Sequence, residues 1–64
     1  MLTKKEITVL RLRGKGSTQV KVAESLKISQ AAVCKFERNA FAKIRSARKA
    51  LRVAKELGVE VSDD

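Results

Sequence analysis

The sequence predicts an all-α fold of three helices, the third long and extended at its C-terminal end. Three observations predict it. Apolar residues recur three and four apart through most of the 64 residues, the period of an amphipathic helix. Thr3, Thr18 and Ser29 stand just ahead of those runs, where a helix cap belongs. Proline is absent, so long helices meet no covalent interruption.

The first helix is the best marked. Thr3 and Glu6 have the T-x-x-E spacing of a capping box, and Leu2 and Ile7 have the spacing of a hydrophobic staple. The helix is expected from about Lys4 to Gly14 or Lys15, with Gly16 as the left-handed residue that closes it. Ile7 and Leu10 share one face while Val9 and Leu12 share another, so two covers are expected. One is the pair of helices that follows. The other is the C-terminal helix or a partner subunit.

Thr18 caps the second helix, Gln19 to about Leu26. Its inner stripe is Val22, Ala23 and Leu26, and the small Ala23 lets two helices approach closely. Lys21, Glu24 and Ser25 face water. Lys27 and Ile28 interrupt the run, and Ser29 caps a third helix from Gln30. No breaker follows until Gly58, which makes a helix of 28 residues, roughly 42 Å long. That exceeds the usual length in globular domains, so a coiled-coil extension or a hidden bend is expected. Ala40, Ile44, Ala47, Leu51 and Ala54 alternate spacings of four and three, which is heptad-like. The segment 40–57 is read as a homodimerisation or back-packing helix. Residues 1–57 then form one domain and 58–64 an acidic tail.

Composition bounds the function. Lys and Arg number 15 against 7 Asp and Glu, a net charge of +8. Residues 1–28 carry +5, residues 29–57 carry +6, and the last seven carry −3. A basic body points to a polyanionic partner. With one cysteine and no histidine there is neither a disulfide nor a credible zinc site, and no cofactor is expected. A single free thiol suits a reducing cytoplasm. No apolar run is long enough to span a membrane, and the charged N-terminus does not read as a signal peptide. An enzyme is not expected: histidine is lacking, no carboxylates pair in a plausible cleft, and Gly14-Lys15-Gly16-Ser17 lacks the spacing of a phosphate loop.

Two short helices joined at Lys27–Ile28 form a helix-turn-helix, a unit that lays its second helix in the DNA major groove. With Val33 set toward the core and about 100° allowed per residue, Phe36, Ala40 and Ile44 follow on the inner side. Ala31, Lys35, Arg38, Ala42, Arg45 and Lys49 fall opposite, and Gln30 and Cys34 lie between. The outward face is therefore basic with small residues interleaved. Lys35 and Arg38 suit guanine O6 and N7, Gln30 suits adenine, and Ala31 a thymine methyl. Thr18, Gln19 and Ser29, at the two helix starts, are candidate phosphate contacts through open N–H groups. Cys34 completes the candidate set. The expected partner is double-stranded DNA, bound by a homodimer.

A resemblance joins these residues. Gln19, Ala23, Ile28 and Val33 match the spaced pattern of helix-turn-helix regulators, which usually has Gly where this chain has Lys27. Lys27 must then enter the left-handed region, or the turn must open. Leu2, Thr3, Glu6, Val9, Leu10, Leu12 and Gly16, followed by Val22, Ala23, Leu26, Ile28, Ser29 and Val33, resemble LuxR-type and sigma-factor region-four domains over about two thirds of the chain. LTKKEITVLRLRGKGSTQ and ISQAAVCKFERNAFAKIRSARKAL together resemble the archaeal Tfx DNA-binding proteins. The resemblance implies a sequence-specific transcriptional regulator. Two alternatives stand beside it: a non-specific architectural DNA-binding protein, and a sigma-type protein-interaction module using the 40–57 helix.

Overall fold

Each helix begins where a side-chain oxygen satisfies an open backbone N–H. In the computed structural model, which describes residues 1–59, the elements are α1 (Lys4–Gly14), α2 (Gln19–Leu26) and α3 (Gln30–Glu56). Thr3 Oγ1 accepts from the Glu6 N–H at 3.2 Å while Glu6 Oε1 accepts from the Thr3 N–H at 2.8 Å, a complete capping box. Thr18 Oγ1 accepts from the Lys21 N–H, and Ser29 Oγ from the Ala32 N–H.

The helices also end alike. Ser17 and Gly16 donate back to the carbonyls of Leu12 and Arg13. Ile28 and Lys27 donate to those of Ala23 and Glu24, and Val59 and Gly58 to those of Ala54 and Lys55. This paired reverse bonding is the Schellman motif, and it requires a left-handed residue just past the helix. Gly16 (φ 95°) and Gly58 (φ 72°) supply it at two ends, and Lys27 (φ 56°) supplies it between α2 and α3. Of the two options left open at Lys27, the tight turn is the one realised.

The three helices meet at Val9, Val22 and Val33, each fully buried, with Ala23 beside them. Leu12, Leu26, Ile28 and Phe36 pack around this cluster. The Val9–Leu12 face of α1 is thus the covered one. Its other face stays more open, with Ile7 40% exposed.

The hidden bend expected in α3 does not occur. The helix runs 27 residues without interruption, because no Gly or Pro falls inside it and kinks need such a cause. Nor does it pack back on the bundle. Ala40 is buried and Ile44 half-buried against the rest of the fold, but from Arg45 onward every described residue except the half-buried Ala54 is exposed. The second half of α3 projects outward and gives the molecule its 45 Å length. The acidic residues assigned to a tail, Glu60, Asp63 and Asp64, lie outside the described residues.

A second contact ties α1 to α3. Lys43 Nζ lies 2.7 Å from Glu6 Oε1 and also donates to the Met1 carbonyl at 3.2 Å. Glu6 is buried. The Lys43 hydrogen bond, followed by the Thr3 N–H, holds its carboxyl down at about 2 against the opposing effect of desolvation. The capping carboxylate is therefore also the anchor for α3.

Two outcomes follow from this architecture. Lys27→Gly removes a side chain from a left-handed position, which costs roughly 1–2 kcal/mol, less about 0.5–1 for glycine's entropy. The melting temperature should rise by a few degrees, and a fall would show that Lys27 is not strained. Glu6 has a depressed folded pKa, so its contribution is complete above the unfolded value near 4.5 and is lost as pH falls toward about 2. Thermal stability should fall across that window and do so less steeply in Glu6→Gln. Parallel acid profiles for the two proteins would remove the Glu6–Lys43 account.

Candidate nucleic-acid interface

A 3.4 Å contact between the Gln30 and Gln19 side chains links the first residues of α3 and α2. Thr18 and Ser29, both exposed, cap the two helices. The backbone N–H groups of Gln19 and Val20, and of Gln30 and Ala31, find no partner among the described residues. Two pairs of open donors, each at the positive end of a helix dipole, form a setting suited to anions.

Beyond its first turn α3 presents the outward face that its periodicity predicts. Ala31, Lys35, Arg38, Ala42, Arg45 and Lys49 are all exposed, and Val33 and Ala40 are buried opposite them. Cys34 is half-buried. Its sulfur accepts a long contact of 3.5 Å from Arg38 Nη2, which draws the guanidinium along the helix and leaves its other N–H groups free to donate.

Gln19 and Gln30 are tied into a polar chain that periodicity did not reveal. Arg13 Nε lies 2.6 Å from Glu37 Oε1. That oxygen is buried and accepts no aligned hydrogen bond, so charge holds the pair rather than geometry. Glu37 Oε2 accepts from Gln19 Nε2 at 3.1 Å, and Gln19 Oε1 accepts a longer contact from Gln30 Nε2 at 3.4 Å. Gln19 is thus half-buried and turned toward α3. Gln30 keeps one N–H and its carbonyl oxygen, the donor and acceptor that adenine N7 and N6 require.

The structure brings Thr18, Gln19, Ser29, Gln30, Ala31, Cys34, Lys35 and Arg38 to one end of the molecule. Sequence reasoning missed Arg13 and Glu37, which position Gln19. These partners are 24 residues apart, and no local spacing signals such a pair. Among the described residues there is no group of side chains suited to a metal ion, and no helix is long and apolar enough to cross a membrane.

Comparison with known proteins bears on the fold and the family. The family GerE, bacterial regulatory proteins of the luxR family, matches residues 1–58. A Thermococcus kodakarensis protein named "Putative transcriptional regulatory protein TK2151" is 41% identical over 61 residues, which cover 95% of this chain. The chain spans 40% of that relative's length. No solved structure matches.

Proposed function

The chain belongs to the luxR family of bacterial regulatory proteins, and from that premise we propose that it is a transcriptional regulator that binds double-stranded DNA sequence-specifically in the cytoplasm. α3 enters the major groove from Gln30. Lys35 and Arg38 donate to guanine edges, Gln30 pairs with adenine, and Ala31 and Cys34 present small surfaces to the groove floor. Thr18, Ser29 and the open N–H groups beside them hold phosphates. Gln19 steadies Gln30 from behind. The role is binding and calls for no bound cofactor.

One observation carries this reading: the exposed basic face of α3 begins at a capped helix start linked to that of α2 and is backed by a fully buried valine cluster. Phosphate contacts fix register while side chains in the groove read sequence, and this surface offers both kinds of group.

A homodimer completes the proposal. Ala40, Ile44, Ala47, Leu51 and Ala54 fall on one side of α3. Leu51 is 53% exposed, so this stripe extends past the point where α1 can cover it. Ala47 and Ala54 are small enough for a second copy of α3 to approach closely.

Arg38→Ala and Lys35→Ala should each weaken binding to a site selected from random duplexes by about 1–3 kcal/mol more than to random DNA. Equal losses on both would leave a non-specific DNA coat in place of a reader. Leu51→Asp should lower the average mass in sedimentation equilibrium toward that of one chain. A native protein that stays monomeric at every concentration tested would end the dimer proposal.

A further inference from the structure

The projecting half of α3 carries more positive charge than a dimer stripe needs. Between Asn39 and Val59 there are six basic residues and a single acid, Glu56. Arg45, Arg48, Lys49 and Arg52 line one shallow depression of about 300 Å³. All four are exposed, and among the described residues none of them takes part in an ion pair. They stand three and four apart, the spacings at which like charges on a helix repel. The helix holds this repulsion with no internal compensation, an arrangement that a polyanion would relieve.

Their direction identifies the polyanion. At about 100° per residue, Arg45, Lys49 and Arg52 lie within about 40° of Arg38, and Arg48 lies about 80° away, on the flank of that face. The basic face is therefore continuous from the proposed reading residues to the end of the projecting half. Gln30 to Arg38 spans roughly 12 Å of helix, about the width of the major groove. α3 is unbroken over 27 residues, with no Gly or Pro at which to bend, so it does not follow the groove as the duplex turns. Whatever its angle of entry, the turns after Arg38 run out over a phosphate strand.

We infer that Arg45, Arg48, Lys49 and Arg52 form a second DNA contact, a clamp on backbone phosphates flanking the bases read by the first two turns of α3. This rests on the DNA-reading proposal and extends its footprint along the same helix. Ala42, between Arg38 and Arg45 on that face, leaves room for the strand to pass. Arg45 and Lys49 lie about 100° or more from the dimer stripe and Arg52 about 80° or more, while Arg48, about 40° from Ile44, stands at the border between the two, so pairing leaves three of the four clamp residues turned away from the partner helix.

The test compares native protein with a variant carrying Arg45→Gln, Arg48→Gln, Lys49→Gln and Arg52→Gln. Glutamine keeps helix propensity, and circular dichroism checks the fold. Probes are a selected duplex with long flanks, the same duplex trimmed to the selected site, and a random duplex. Each released phosphate counterion contributes about 0.9 to the slope of log affinity against log salt. The variant should lose about 3 to 4 units of that slope and at least tenfold in affinity on the long duplex. Its preference for selected over random DNA should be unchanged, and trimming the flanks should affect native protein more than the variant. A companion variant with Arg45→Lys, Arg48→Lys and Arg52→Lys should restore the slope.

An unchanged slope with intact site preference overturns the clamp and leaves the reading proposal standing. Loss of preference along with affinity also overturns it, by making these residues readers. So does a variant that keeps DNA binding but loses attachment to phosphatidylserine vesicles. Native protein that binds no duplex at all overturns both proposals.

Discussion

The meeting of Val9, Val22, Ala23 and Val33 is the constraint on which the other features depend. Each fully buried valine contributes about 1.5–3 kcal/mol, a large share of the roughly 5–15 kcal/mol that holds a domain folded. The cluster also fixes the angle between α2 and α3, because Ala23 lets the helices touch where a larger side chain would part them. The left-handed turn at Lys27 serves that crossing. It reverses the chain within two residues and delivers Ser29 to cap α3 beside the start of α2. The adjacent helix starts are therefore a product of the core rather than a separate feature of the surface. A core of this size has little margin, and the ion pairs Glu6–Lys43 and Arg13–Glu37 reinforce it by joining α1 to α3 at two heights. Their cationic partners are about 40% exposed, so each pair adds modestly to stability. Their larger effect is on orientation.

α3 divides its circumference among several tasks. Val33 and Ala40 face the core, and Ile44, Ala47 and Leu51 continue that side past the end of the bundle. Lys35, Arg38, Arg45, Lys49 and Arg52 occupy the other side. Such a division needs a helix without a break, since a kink would rotate the second half relative to the first. The absence of Gly and Pro from Gln30 to Glu56 thus bears on function as well as on structure. In a dimer built on the projecting stripe, the same rigid rod would set how far apart and at what angle the two reading ends stand.

What the sequence revealed was local, and what it hid was distant. Caps at Thr3, Thr18 and Ser29 are signals within four residues, and the helix limits drawn from them match the structure closely. The outward position of Lys35 and Arg38 followed from periodicity alone. The bend expected in α3 came from typical helix lengths, and it failed because a helix needs a local cause to bend. Glu6 was legible as a cap residue but not as Lys43's partner 37 residues away. Gln19 read as a helix start facing phosphate. Its inward turn depends on Glu37, 18 residues on. Pairs of that separation arise from the packing of helices and leave no periodic trace.

Glu37 shows why such a pair matters at a surface proposed to meet a polyanion. It is the only acid on the first half of α3, two turns from Gln30 and next to Arg38 in sequence. Left in solvent, its carboxylate would repel phosphates on the face proposed to approach them. Instead its side chain is only 12% exposed, with Arg13 against one oxygen and Gln19 donating to the other. Arg13 also donates to the Ser17 carbonyl at 3.0 Å, which holds the guanidinium in place ahead of α2. The negative charge is thereby neutralised from the α1 side, and the amide of Gln19 carries its influence to Gln30 as orientation rather than as charge. The one acid on the first half of this basic helix is thereby kept off its outer face, and it sets the posture of Gln30, the first residue of the proposed reading end.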